Sequence, residues 1–335
     1  MAHDFFLISF TQIYKYSMKG ILASFPWLAR FFIFTGMLLV GSVIASYASL
    51  TITDLIFPEV NLFELLQNVS STESSDAFTY VQIQALKCFQ FIGSLGQYVL
   101  IPMLFVYLCG ESFFAATGMH KHVHLRIYLL VFLIFFSSVG FIGYINELNQ
   151  MLTFPSSLSG LEHSLRQMEN EAMMQTEAFL STTSLMGLLL NILLVAVLAA
   201  VGEEIVFRGL LQNMLQKLTK NVHVAVWTAA AIFSFVHFQF FGFFPRLLLG
   251  AILGYLFAWS GSLWPSIAGH FINNFLGVMG YYFVNNGMFD EHVMEEASWQ
   301  YALFSLPFLL LFLFLYNKAT EHYRYGERLD DGVQH

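Results

Sequence analysis

Long apolar runs broken by short polar connections dominate the chain. Eight of them are long enough to cross a bilayer, which takes about 20 residues. They cover 27–50, 88–110, 125–145, 183–203, 222–241, 244–261, 263–284 and 299–317. The pattern predicts an all-α fold, a polytopic transmembrane helix bundle of about eight spans. Ser260-Gly261-Ser262 and Pro265 separate the sixth span from the seventh, because such residues favour turns over helix. Two connections are long, 51–87 and 146–182. Both are polar yet keep apolar residues, so interfacial helices are expected there rather than separate domains. Residues 4–24 run from an apolar patch at Phe5–Phe10 to Lys15 and Lys19, which suits an interfacial amphipathic helix better than a cleavable signal. The chain divides into an N-terminal membrane region (1–182), a core of four spans (183–284) and a last span with its tail (285–335).

Composition sharpens this reading. Only 11% of residues are charged and 57% are hydrophobic, against about 25% charged in soluble domains. The net charge of −8 comes with no basic patch, so nucleic acid is not an expected partner. Lysine and arginine favour the cytoplasmic side of a membrane protein. With both termini inside, the inner connections hold Lys15, Lys19, Arg30, Lys121, Arg126, Lys217, Lys220, Lys318, Arg324 and Arg328. The outer connections hold Lys87, Arg166 and Arg246 among acidic runs. The expected location is the bacterial cytoplasmic membrane, with cytoplasmic N- and C-termini. Cys88 and Cys109 fall 21 residues apart on one expected helix, about 31 Å at 1.5 Å per residue. A disulfide between them is excluded by that distance.

Chemistry concentrates between Glu203 and Asn274. Val201-Gly-Glu-Glu-Ile-Val-Phe-Arg-Gly209 continues the fourth apolar run. An ionisable group in such a place costs about 2.5–3.5 kcal/mol on the lenient insertion scale and points to function. Helical spacing puts Glu204 and Arg208 one turn and about 40° apart, and Glu203 about 140° from Arg208. Glu204 is then the local ion-pair partner of Arg208, and Glu203 points elsewhere. Phe233-Ser-Phe-Val-His237 places a histidine well inside the fifth span. His270 and Asn274 share a face of the seventh. A carboxylate, two imidazoles and an amide on three apolar helices suit water activation: Glu203 as base, His237 to orient the water, His270 and Asn274 to bind an oxyanion.

Glu203-Glu204-x-x-x-Arg208, Phe233-x-x-x-His237 and His270-x-x-x-Asn274 together resemble, in order, the three motifs of the CAAX protease and bacteriocin-processing family. That family includes the type II CAAX prenyl endopeptidases, described as intramembrane glutamate proteases. The resemblance covers about 100 residues, from the fourth span to the seventh. It implies a membrane-embedded peptidase with Glu203 and His237 activating water and His270 and Asn274 lining the oxyanion site. No cofactor is implied. The substrate would be a membrane-associated peptide or protein, lipidated or not, in the lipid bilayer.

Other readings stay open at this level. Glu203, His237 and His270 could ligate zinc in a metallopeptidase, although the His-Glu-x-x-His signature is missing. A non-enzymatic immunity or scaffold protein could keep the same fold. Glu204 and Arg208 could serve only to lock helices. Asn191 and Asn273 read as interhelical glue, and Gly250-x-x-x-Gly254 as a close-packing patch and nothing more. His120, His122 and His124 alternate along a loop, a weak metal-site pattern.

Overall fold

The computed structural model describes residues 18–68, 78–290 and 299–323. They fold as a helix bundle, with no strand among the described residues. In chain order the helices are α1 (Trp27–Ile56), α2 (Leu62–Asn68), α3 (Tyr80–Cys109), α4 (Phe113–Thr117), α5 (Leu125–Gln150) and α6 (Ser159–Leu180). There follow α7 (Leu185–Thr219), α8 (Val222–Phe235), α9 (Phe243–Ser260), α10 (Trp264–Asn285) and α11 (Trp299–Ala319). All eight expected spans are helical, and six are both long and apolar enough to cross a membrane. Two fall outside that set. Polar residues such as His270, Asn273 and Asn274 lower the hydropathy of α10. α8 has 14 residues, or about 21 Å against a hydrocarbon core of ~30 Å.

The early end of α8 corrects the sequence reading, which carried this span to residue 241 and set His237 well inside it. The helix stops at Phe235 because the His237 ring bonds the Phe233 carbonyl (Nδ1 to O, 2.7 Å). Phe238 then turns through the left-handed region at φ 53°. A single 3₁₀ turn, Phe240–Gly242, leads back into α9.

Both long connections contain the expected helices, α2 and α6. Only residues 18–24 of the proposed N-terminal interfacial helix are described, and they form turns. Gly20 and Leu22 donate backbone N–H groups to the Tyr107 and Leu108 carbonyls, which pulls this stretch off a helical path; residues 4–17 lie outside the described residues.

Two apolar clusters hold the bundle together. One joins α1, α3, α7 and α8 through Phe34, Phe105, Phe207, Leu211 and Ala229. The other joins α5, α9 and α11 through Val131, Ile134, Leu256 and Tyr316. Cys88 and Cys109 both lie on α3 as free thiols. Lys87 is not a loop cation: it is buried on α3, with its ammonium 5.2 Å from the centre of the Phe179 ring on α6. The far end of α6 is fixed by Asn191 and Asn285, which both donate to the Leu180 carbonyl.

One end of the bundle gathers the connections read as inner. Arg30 pairs with Glu111 at 3.0 Å, Lys217 sits 3.7 Å over the Trp27 ring, and Ser262 donates to the Lys121 carbonyl. Connectivity sends α6 and the 236–243 turn to the other end. Cysteine reporters at Lys121 and Lys217 are therefore expected to label from the cytoplasm, and those at Glu171 and Asp290 from outside. Labelling of Lys217 and Asp290 from the same side would break this topology.

Candidate active site

The site is built around α7, whose regular hydrogen bonding is interrupted twice. Ile192–Leu198 and Ile205–Gln212 are π-helical and flank the α-helical turn Ala199–Glu204. Such widened turns recur at functional sites, because they re-aim side chains without breaking the helix. Gly202 gives the room to use this one. A Cβ there would stand 2.6 Å from the Cβ of Tyr98, so a glycine beside Glu203 lets α3 close on α7.

Glu204 and Arg208 meet as the spacing predicts, and more happens than pairing. Both are fully buried, and Glu204 Oε1 accepts from Arg208 Nη1 at 2.6 Å. The same oxygen also accepts from His270 Nδ1 at 2.8 Å, across from α10. The Arg208 guanidinium continues the chain, donating through Nη2 to the Gly250 carbonyl of α9 at 3.1 Å and lying 4.6 Å from the centre of the Phe233 ring of α8. One helical turn on, Gln212 donates to the Gly254 carbonyl at 3.0 Å. Gly250 and Gly254 are therefore acceptors as well as a packing patch. A Cβ on Gly250 would press on Ala230 at 3.1 Å, and one on Gly254 would meet Gln212 at 2.8 Å and Val226 at 2.9 Å. The bare backbone is what brings these carbonyls within reach.

With Glu204 engaged, Glu203 faces a separate space. A cavity of about 140 Å³ is lined by Glu203, His237, His270, Asn273, Asn274 and Arg246, and closed by Phe135, Phe233, Leu249 and Leu253. A water occupies ~30 Å³ in the liquid, so the cavity has room for a few waters or a short piece of peptide. All four residues given catalytic roles from the sequence line it, from two helices, α7 and α10, and the turn after α8.

Their hydrogen bonds constrain protonation. His237 Nδ1 faces a carbonyl, which has no proton to give, so Nδ1 carries the hydrogen and neutral His237 keeps its lone pair on Nε2. His270 stands between two carboxylates, with Nδ1 on Glu204 and Nε2 3.7 Å from Glu203 Oε2. The longer contact is beyond hydrogen-bond reach but within ion-pair distance. Asn274 donates from Nδ2 to the Val195 carbonyl at 2.9 Å and accepts from Asn273 at 3.2 Å, leaving its second N–H for the cavity.

Some assignments from the sequence change. Asn273 lines the cavity and orients Asn274, a role the glue reading missed. Asn191 does act as glue, on Leu180. Arg246 was placed in an outer connection; it stands in the first turns of α9 with its side chain at the cavity. No sequence signal ties Arg246 to the three motifs. Among the described residues no three His, Cys, Asp or Glu side chains stand close enough to hold one metal ion.

Residues 185–276 match the family model described as "Type II CAAX prenyl endopeptidase Rce1-like". This segment contains all three motifs, and it is the family they point to. One curated relative, "Uncharacterized protein YpbD" of Bacillus subtilis (strain 168), is 30% identical over 114 residues. The match covers 32% of this chain and 56% of that protein, so the chain spans little more than half the relative's length. No solved structure matches.

Breaking the buried chain at either end should be costly. Stranding one partner of a buried ion pair typically costs ~3–5 kcal/mol. Glu204→Gln and Arg208→Met are each expected to lower the melting temperature in detergent sharply. The double substitution strands no charge and should recover part of the loss. Additive losses would show that the two residues are uncoupled.

Proposed function

We propose, taking the Rce1-like match of residues 185–276 as premise, that the protein is an intramembrane endopeptidase of glutamate type, which hydrolyses a peptide bond in a membrane-associated peptide or protein. The observation that carries this reading is the convergence of Glu203, His237, His270 and Asn274 on one small polar cavity enclosed by apolar helices.

The chemistry follows from the geometry. A water in the cavity lies between the Glu203 carboxylate and the Nε2 lone pair of His237, both of which can accept its protons. Glu203 takes one proton as the water oxygen attacks the scissile carbonyl carbon. The carbonyl oxygen becomes an oxyanion and is met by His270 Nε2–H and the second N–H of Asn274. The tetrahedral intermediate collapses, the C–N bond breaks, and the proton on Glu203 passes to the leaving amine. Donors held in place before the reaction stabilise developing charge without having to reorganise.

Glu204 supports this cycle without touching substrate. By accepting from His270 Nδ1 it fixes the ring. The Nε2 donor that the oxyanion needs requires a proton on both ring nitrogens, since Nδ1 donates to Glu204. Arg208 in turn holds Glu204 in place.

Glu203→Gln should abolish cleavage with little change in melting temperature, because the amide keeps the shape but cannot take the water proton. Asn274→Ala should slow turnover ~10²–10³-fold, the usual cost of one oxyanion donor. The readout is mass spectrometry of membrane peptides from cells carrying wild-type protein or Glu203→Gln, where a product unique to wild type is expected. Stoichiometric zinc in the purified protein, with activity lost on chelation and restored by metal, would replace this mechanism with a metallopeptidase.

A further inference from the structure

Arg246 is the cavity-lining residue that the proposed chemistry does not use. It faces the same space as Glu203 and His270, yet it belongs to none of the three motifs. Its hydrogen bonds go to one neutral residue: Nη1 to Gln239 Oε1, and Nη2 to the Gln239 carbonyl at 3.1 Å. Nε is buried with no hydrogen-bond partner. Among the ion pairs within 4.0 Å in the described residues, none involves Arg246. The carboxylate whose charge it feels is Glu169 of α6, which is committed through Oε2 to the Phe241 backbone N–H at 3.1 Å. Burial pushes the Glu169 carboxyl up, against the pull of Arg246 and of that N–H.

This contrasts with Arg208, which is fully buried. Arg208 has a carboxylate at 2.6 Å and a carbonyl at 3.1 Å, so its charge is matched within the fold. Arg246 has its position fixed by Gln239 but its charge unmatched at contact distance. A half-buried guanidinium in that state gains most from an incoming anion, and its planar fork fits a carboxylate with two parallel hydrogen bonds. Gly242 keeps the guanidinium there: a Cβ at that position would sit 2.1 Å from Arg246 Nη2. Within the cavity, Glu203 repels a second anion. A carboxylate is therefore directed to the Arg246 end, which leaves the neighbouring peptide bond for Glu203 and His237.

We propose that Arg246 is a specificity-determining residue that binds a carboxylate of the substrate and thereby sets which peptide bond reaches Glu203. The substrate class is then a peptide with a negative charge close to one side of the scissile bond. An acidic side chain and a free C-terminus present the same chemistry. This inference rests on the peptidase reading for its meaning, but binding can be measured without turnover.

The test uses full-length Glu203→Gln protein in detergent, with Arg246 intact or changed to Gln or Lys. Each is incubated with a synthetic peptide library in free-acid and C-terminally amidated forms, containing members paired as Glu or Gln at each internal position. Bound peptides are quantified by mass spectrometry, and melting temperatures confirm that each variant is folded. A charged bidentate contact should enrich carboxylate-bearing peptides about 10- to 100-fold. Arg246→Gln should erase that preference, and Arg246→Lys should keep part of it. A preference for acids over amides assigns the C-terminus; a preference for Glu over Gln assigns a side chain. No carboxylate preference, a preference that survives Arg246→Gln, or no peptide bound would each overturn the proposal. Wild-type protein is then given the enriched peptides. Binding without cleavage would defeat the peptidase reading and leave the carboxylate site standing.

Discussion

A charge inside an apolar bundle must be matched where it lies, because no water is present to do it. Arg208 and Glu204 meet that requirement with a contact of 2.6 Å, and His270 extends it to a third group at 2.8 Å. This chain of contacts runs from the α9 backbone, through α7, to α10. Helices that interdigitate apolar side chains can slide by small amounts at little cost, but helices joined by a buried ion pair cannot. The relative register of α7, α9 and α10 is therefore fixed at the depth where the chemistry is proposed.

The surrounding packing serves that chain. Gly250 and Gly254 remove side chains from α9 so that Arg208 and Gln212 reach its carbonyls. Gly202 lets α3 approach beside Glu203. Phe233 covers the face of Arg208 and also lines the cavity, so one ring borders both the buried charge and that space. Because Glu204 is saturated on one oxygen by two donors, the adjacent Glu203 is the carboxylate left facing the cavity. Two neighbouring glutamates thus acquire different surroundings from geometry alone. The early end of α8 completes the arrangement. A helix that ran on to residue 241 would give the Phe233 carbonyl to the His237 backbone N–H, where here it is held by the His237 ring.

The connection carrying α6 is part of the same construction. Arg166 lies 4.0 Å from the centre of the Phe241 ring, Glu169 caps the Phe241 N–H, and Leu180 is held by Asn191 and Asn285. α6 is thereby clamped to the turn that follows His237 and to α7 and α10. A segment that is polar in sequence supports the wall of a site within the apolar core.

Periodicity and hydropathy were enough to show an all-α bundle, its eight helical segments and the helices of the two long connections, because a bilayer imposes length and apolarity on any segment that crosses it. One-turn spacing was enough to pair Glu204 with Arg208, since that contact is local to a helix. The three motifs were legible for a similar reason: polar residues are expensive in apolar runs, so they stand out. What spacing could not supply was anything set by contact between helices. The bond from Glu204 to His270, the orientation of Asn274 by Asn273 and the acceptor role of the Gly250 and Gly254 carbonyls depend on how separate helices meet. The π-helical turn Ile192–Leu198 and the stop at Phe235 carry no proline or glycine to announce them. Arg246 looked like a loop cation because it stands where the fifth and sixth spans meet, 43 residues from Glu203 along the chain; only the fold of α7 against α9 brings both to one cavity.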